Sequence, residues 1–184
     1  NLQGILLVNT GTPSTLEPKA IRSYLKEFLS DKNVIKIPRI IWLPILYLFI
    51  LPFRPHRKIN DYKKIWTKEG SPLLVIFKSL LRKLKDNSRE TSNFYRIAMR
   101  YGKPTIKDQL ILFQKNNISK LIILPLFPQF SYSTTASVFD KVKVSLKELE
   151  WQHELIIIKE YFNEELFVDS ISNSIVNLWG KNGK

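Results

Sequence analysis

The chain has 184 residues, 44% of them apolar and 24% charged, with two histidines and no cysteine. That length carries one ordinary domain with a sizeable core, the balance excludes a disordered chain, and the lack of cysteine excludes disulfides and thiolate metal sites while permitting a cytoplasmic setting. A formal net charge of +13 would serve nucleic acid, an anionic membrane or an acidic ligand, but no basic run is interleaved with stacking aromatics, so nucleic acid is not expected as a partner and a solvated lysine-rich surface is the plain explanation.

Gly4 to Asn9, GILLVN, is a short apolar run stopped by Gly11 and Pro13. It reads as a buried strand with a glycine turn, not as a secretory leader, which would need a basic start. One glycine is far short of a phosphate loop. Ser14 or Thr15 is placed to cap a helix with Glu17 in its first turn, and Ile21, Tyr24, Leu25, Phe28 and Leu29 recur at helical spacing as a core face.

Ile40 to Phe53 carries no charge, within the run from Val34 to Pro55. It falls short of the roughly 20 apolar residues of a spanning helix, and Pro44 is expected to interrupt it. Arg39, Arg54, Arg57 and Lys58 frame it with positive charge. The segment fits either a core-covering loop and helix or an apolar lip, residues 34–58, that makes peripheral contact with anionic lipid through residues 40–53. Arg57 to Trp66 has a helical pattern, and Gly70-Ser71-Pro72 is a turn that restarts a helix over Leu73 to Lys85.

Phe94 to Met99 is a second buried strand, and Thr105 stands where it would cap a helix running to Asn117. Leu121 to Leu124 is a third strand, followed by a polar, proline-marked loop. Ser133, Thr134 and Thr135 stand at the N-cap of a helix reaching Glu150, Leu155 to Ile158 is a fourth strand, and Glu164 to Trp179 is a last helix. Strands that alternate with helices predict an α/β fold, a four-stranded parallel sheet flanked by helices, in one domain over residues 1–184. Ligands of such sheets bind at the carboxyl ends of the strands. Thr10, Arg100, Tyr101 and the loop from Phe127 to Ser133 lie there. Aromatics interleaved with hydroxyls suit a flat, largely apolar ligand with polar edges, and the same composition suits a plain loop packed on the sheet.

Five blocks in order also resemble ferrochelatases, which insert ferrous iron into a porphyrin to make haem. They are Asn9-Thr10-Gly11-Thr12-Pro13, Tyr24 to Asp31 (YLKEFLSD), Gly70-Ser71-Pro72-Leu73, Met99-Arg100-Tyr101-Gly102, and Leu124 to Ser131 with Ser133 to Ser137 (LPLFPQFS, STTAS). The resemblance implies a Rossmann-like, chelatase-type half domain whose apolar lip overhangs a porphyrin cleft. It implies that Arg100 and Tyr101 are catalytic, beside the porphyrin centre. It implies substrate contacts at Thr10, Tyr62, Ser71, Phe127, Ser131 and Ser133, with Arg54 and Lys58 as cations for the propionates. Phe127 and Phe130 stand where the family usually carries tyrosines, which removes two hydroxyls and leaves apolar contact.

The family's metal-binding histidine and glutamate are expected after the last helix, in an S-x-H-G-[IL]-P block that this chain does not contain. No metal ligand is therefore assigned; His56 and His153 are read as surface groups. No cofactor is expected, ferrous iron being a substrate. The chain is expected to be the N-terminal half of a two-domain enzyme, partnered by a C-terminal domain, in the cytoplasm with peripheral contact on the inner membrane face. The alternative is a non-catalytic module that holds porphyrin or sits on an anionic membrane.

Overall fold

Four strands, β1 (Gln3–Gly11), β2 (Asn93–Tyr101), β3 (Lys120–Pro125) and β4 (Glu154–Ile157), pair in parallel in the order β2-β1-β3-β4. The computed structural model describes residues 2–88 and 93–183. The helices are α1 (Pro18–Leu29), α2 (Arg39–Ile45), α3 (Leu51–Ile65), α4 (Pro72–Asn87), α5 (Ile106–Lys115), α6 (Ser137–Glu148) and α7 (Glu165–Asn182). The expected parallel α/β sheet is therefore present.

Central strands of a parallel sheet are covered on both faces, which is why their sequences read as unbroken apolar runs. Leu6 and Val8 of β1 join Ala98, Leu121 and Ile123 in a cluster closed by Leu110 and Phe113 of α5 and by Val138 and Val142 of α6. Leu7 points the other way and packs with Ile97, Met99 and Phe77 of α4. Burying each such side chain is worth about 1.5–3 kcal/mol, so these two faces supply much of the drive to fold. A third cluster sits beside the sheet, where Ile21, Leu25 and Leu29 of α1 meet Leu46 and Leu51.

The strand order reverses at β1: the chain passes from β1 to β2 on one side, then crosses to β3 on the other. In open α/β sheets ligands bind at such a switch, outside the carboxyl ends of the strands, and here it falls between β1 and β3. The tips of β1 and β2 interlock beside it. Gly11 (φ 120°) lies where a Cβ would come 1.9 Å from the Tyr101 carbonyl oxygen, and Gly102 (φ 89°) where one would come 2.8 Å from that of Thr12. No side chain fits either position.

Several helix boundaries differ from expectation. Thr105 does cap α5, accepting from the Asp108 N–H at 3.1 Å. Ser14 and Thr15 do not cap α1; it starts at Pro18, whose fixed φ suits a first turn, and Glu17 occupies the N-cap position. Nor do Ser133 to Thr135 form an N-cap, because the chain is already wound there in a π-turn, Tyr132–Ala136, that runs into α6.

Pro44 does not end the apolar segment. Helix continues from Arg39 to Ile65 through Pro44, Pro52 and Pro55, with a π-turn over Leu46–Ile50 between the first two prolines. Each proline lacks the N–H of one i→i−4 bond, and the looser π-turn falls between two such gaps. Trp42 pins the segment to α1 by donating its Nε1–H to the Leu29 carbonyl at 2.7 Å. The opposite face is bare: Ile40, Leu48, Phe49 and Phe53 are 61–85% exposed. Among the described residues no helix is long and apolar enough to cross a membrane.

Candidate functional site

The site forms around Asp31, in the turn after α1, which the sequence reading did not single out. Its carboxylate is buried and accepts from four donors: the Asn33 N–H at 2.7 Å, the Ser137 hydroxyl at 2.5 Å, the Tyr101 hydroxyl at 2.9 Å, and an Nη2–H of Arg100. Arg100 is held a second time at Nε, which donates to the Ser137 hydroxyl (2.7 Å) and carbonyl (2.9 Å). One carboxylate thus ties together the α1 turn, the tip of β2 and the start of α6. Burial by itself pushes the Asp31 carboxyl upward; the hydrogen bonds from Ser137 and Asn33, the Arg100 charge and the Tyr101 hydroxyl outweigh it and hold the group below its ordinary value. Burial, with the neighbouring Asp31 charge, pushes the Tyr101 phenol up to about 12, against the opposing pull of Ser137 and Arg100.

This environment changes how the expected catalytic pair reads. Tyr101 is 1% exposed with its hydroxyl spent on Asp31, so it is an interior member of the network and not part of a cleft surface. The Arg100 guanidinium lies 4.5 Å from the centre of the Tyr101 ring. The Arg100 side chain is 15% exposed.

The expected substrate contacts separate into interior and surface. Ser71 is buried and accepts from the Thr12 hydroxyl at 2.8 Å, so it fastens the α4 start to the β1 loop. Phe127 packs against the α5–α6 core cluster. Tyr62 is half-buried against the α1 cluster, edge-on to Trp66 at 6.2 Å, and burial raises its pKa. Thr10 is half-buried near the end of β1. On the surface, Arg54 is exposed and the Lys58 ammonium pairs with Asp61 at 2.8 Å. The Ser131 hydroxyl meets those of Thr134 and, at 3.4 Å, the exposed Ser133.

The aromatic surface of the β3 loop is Phe130 and Tyr132, 42% and 63% exposed, edge to face at 5.8 Å, with the Lys36 ammonium 5.1 Å from the Tyr132 ring centre. Both rings were visible in the loop's aromatic–hydroxyl pattern. Asp31 and Ser137 also lay inside quoted blocks, but nothing local marks which carboxylate a distant arginine will meet. His153 differs from the surface group expected: its ring stacks on Trp151 at 4.1 Å, and burial, only partly offset by the Trp151 backbone, lowers its pKa. Among the described residues no three His, Cys, Asp or Glu side chains gather as a metal site.

A parallel sheet with a switch point at β1 places the chain among the open α/β domains, whose ligands bind at the carboxyl edge of the sheet. The family model described as Ferrochelatase matches residues 2–184. Curated relatives named ferrochelatase from Methylococcus capsulatus and Wigglesworthia glossinidia brevipalpis are each 40% identical across 98% of this chain and 55% and 56% of their own lengths. One from Alcanivorax borkumensis is 42% identical across 98% of this chain and 54% of its own. The chain belongs to the ferrochelatase family, and it spans about half the length of the curated relatives it matches.

Proposed function

We propose that these residues form one wall of the porphyrin cleft of a ferrochelatase, the enzyme that inserts ferrous iron into protoporphyrin IX to make haem. The single observation that carries this reading is the family match along the described chain. The geometry gives it content. Phe130, Tyr132 and the apolar lip offer exposed faces to a flat macrocycle. Arg54, Lys58 and the hydroxyls of Ser131 and Ser133 stand near enough to solvent to take its carboxylates by charge-assisted hydrogen bonds.

Insertion releases two pyrrole protons as the metal enters, so it needs a base and a metal-delivering ligand. Asp31 is poorly suited to be that base, since four donors hold it as a carboxylate. Both tasks are assigned to the portion of the relatives that this chain does not span. The exposed apolar residues of α7, including Leu166 (85%), Val176 (57%) and Leu178 (58%), are a surface such a portion would cover.

Titration with protoporphyrin IX tests the wall. A saturable red shift of the Soret band is expected, weakened at least tenfold by Phe130→Ser with Tyr132→Ser; no saturable shift, or one indifferent to both substitutions, overturns it. A second reading, a peripheral module on anionic membrane in the cytoplasm, draws on the bare face of residues 40–53 beside Arg39, Arg54 and Arg57. It predicts sedimentation with anionic vesicles that fades as salt rises.

A further inference from the structure

We propose that the cleft beside Arg100 is a binding site for a small oxyanion, a carboxylate or phosphate group, and that Asp31 is the positioning residue that aims the guanidinium at it. A guanidinium has five N–H donors. In Arg100 the Nε–H goes to Ser137 and one Nη2–H to Asp31, while the two on Nη1 and the second on Nη2 meet no acceptor among the described residues. A mostly buried arginine with three idle donors is a fork set out in advance. Its orientation is fixed by a carboxylate that cannot turn, so little side-chain freedom is lost when a planar or tetrahedral anion docks on it.

The fork opens on a cavity of about 410 Å³ whose wall includes Lys32, Asn33, Arg39, Lys141 and Lys143. Only two carboxylates share that wall, Asp31 and Asp140, against five cations counting Arg100. Both are already engaged. Asp31 is filled by its four donors, and Asp140 accepts from the Asn33 side chain at 2.8 Å and faces Lys32 at 3.6 Å. Arg39 is steered toward the same space by donating to the Ser30 carbonyl at 3.1 Å. Lys141 and Lys143 have no carboxylate within ion-pair distance among the described residues. The surplus positive charge therefore surrounds the idle donors, in a space of a size to admit a phosphate. The proposal does not depend on the porphyrin reading.

The test is a titration of the 184-residue protein with inorganic phosphate at low ionic strength, followed by NMR at the Arg100 Nε–H and the amides of Lys32, Asn33 and Lys141. Saturable shifts are expected. Arg100→Lys, which keeps the charge and loses the fork, should weaken binding at least tenfold. Asp31→Asn removes a neighbouring negative charge, which by Coulomb attraction alone would tighten an anion, so a weakening in this variant reports the lost aim of the fork and unchanged or tighter binding overturns the positioning role of Asp31. Arg39→Ser and Lys143→Ser lie outside the Asp31 network, should leave the circular dichroism spectrum unchanged and should weaken binding about threefold each, which keeps the test decisive if Asp31→Asn fails to fold. Shifts that rise linearly without saturating, or binding undiminished in Arg100→Lys, overturn the proposal. Competition between phosphate and protoporphyrin IX would identify a porphyrin carboxylate as the occupant. Simultaneous binding would identify a free phosphate, and either result sustains the site.

Discussion

Two regions of this molecule treat their side chains in opposite ways. At the tip of β2, Arg100 and Tyr101 are polar residues drawn into the interior and over-determined by Asp31 and Ser137. Along residues 40–53, Ile40, Leu48 and Phe49 are apolar residues left facing out, while Leu46, Leu51 and the Trp42 hydrogen bond to Leu29 secure the other face to α1. The first region invests in rigidity and the second in available surface. Loss of a partner should therefore be felt in stability at the tip and in association at the lip.

The largest effect should come where backbone meets backbone. In Gly11→Val the new Cβ would lie 1.9 Å from the Tyr101 carbonyl oxygen, at a φ of 120° that valine resists. A loss of more than about 4 kcal/mol, seen as a chain that fails to refold from urea, is the expected outcome. Next is Asp31→Ala, which strands the mostly buried Arg100 charge and should cost about 3 to 5 kcal/mol in urea unfolding. A loss below about 1 kcal/mol would mean that the network is no more rigid than an ordinary surface pair, and the contrast drawn here would fail.

The same network has a sign in pH. Asp31 titrates below its ordinary value, so its stabilisation is complete above the unfolded-state value of about 3.9 and fades as pH falls through the lowered folded one. The stability gap between the natural chain and Asp31→Asn should narrow on going below about pH 4. Tyr101, raised to about 12, gives the mirror case: its contribution holds up to the unfolded-state value of about 10 and fades as pH rises toward 12, and Tyr101→Phe should reduce the alkaline slope, the remainder belonging to Tyr24, Tyr62 and Tyr161, which burial also raises. The smallest effect on folding belongs to the lip. Leu48→Ser with Phe49→Ser, at residues 65% and 64% exposed, should move stability by no more than about 0.5 kcal/mol per site while reducing vesicle or porphyrin association.

Much of the fold could be read in advance because its signals are local. The four apolar runs became β1 to β4 within two residues at each end, and the Ile21-Leu25-Leu29 stripe became the buried face of α1. The misses were also local signals, overruled by winding. Pro44 sits inside a nearly continuous helix, with a π-turn directly after it in place of the expected break, and Ser133 to Thr135 lie within a turn already formed. The site was only half visible. Arg100 and Tyr101 stood out beside a strand end, but their partner Asp31 is 69 and 70 residues away along the chain.

By itself the amino-acid sequence determined the alternation of strands and helices, the carboxyl edge where polar groups gather, and the family, since periodicity and short ordered blocks survive without coordinates. Only the tertiary structure decided which of those groups face solvent and which are spent in the interior. Phe127 and Ser71 turned inward while Phe130 and Tyr132 stayed out, and a buried carboxylate claimed one side of Arg100 and left the other free. The reason is physical: a residue's type sets what it can bond, but its partner is chosen by the packing of segments distant in the chain, where a buried charge must be matched and an exposed one need not be.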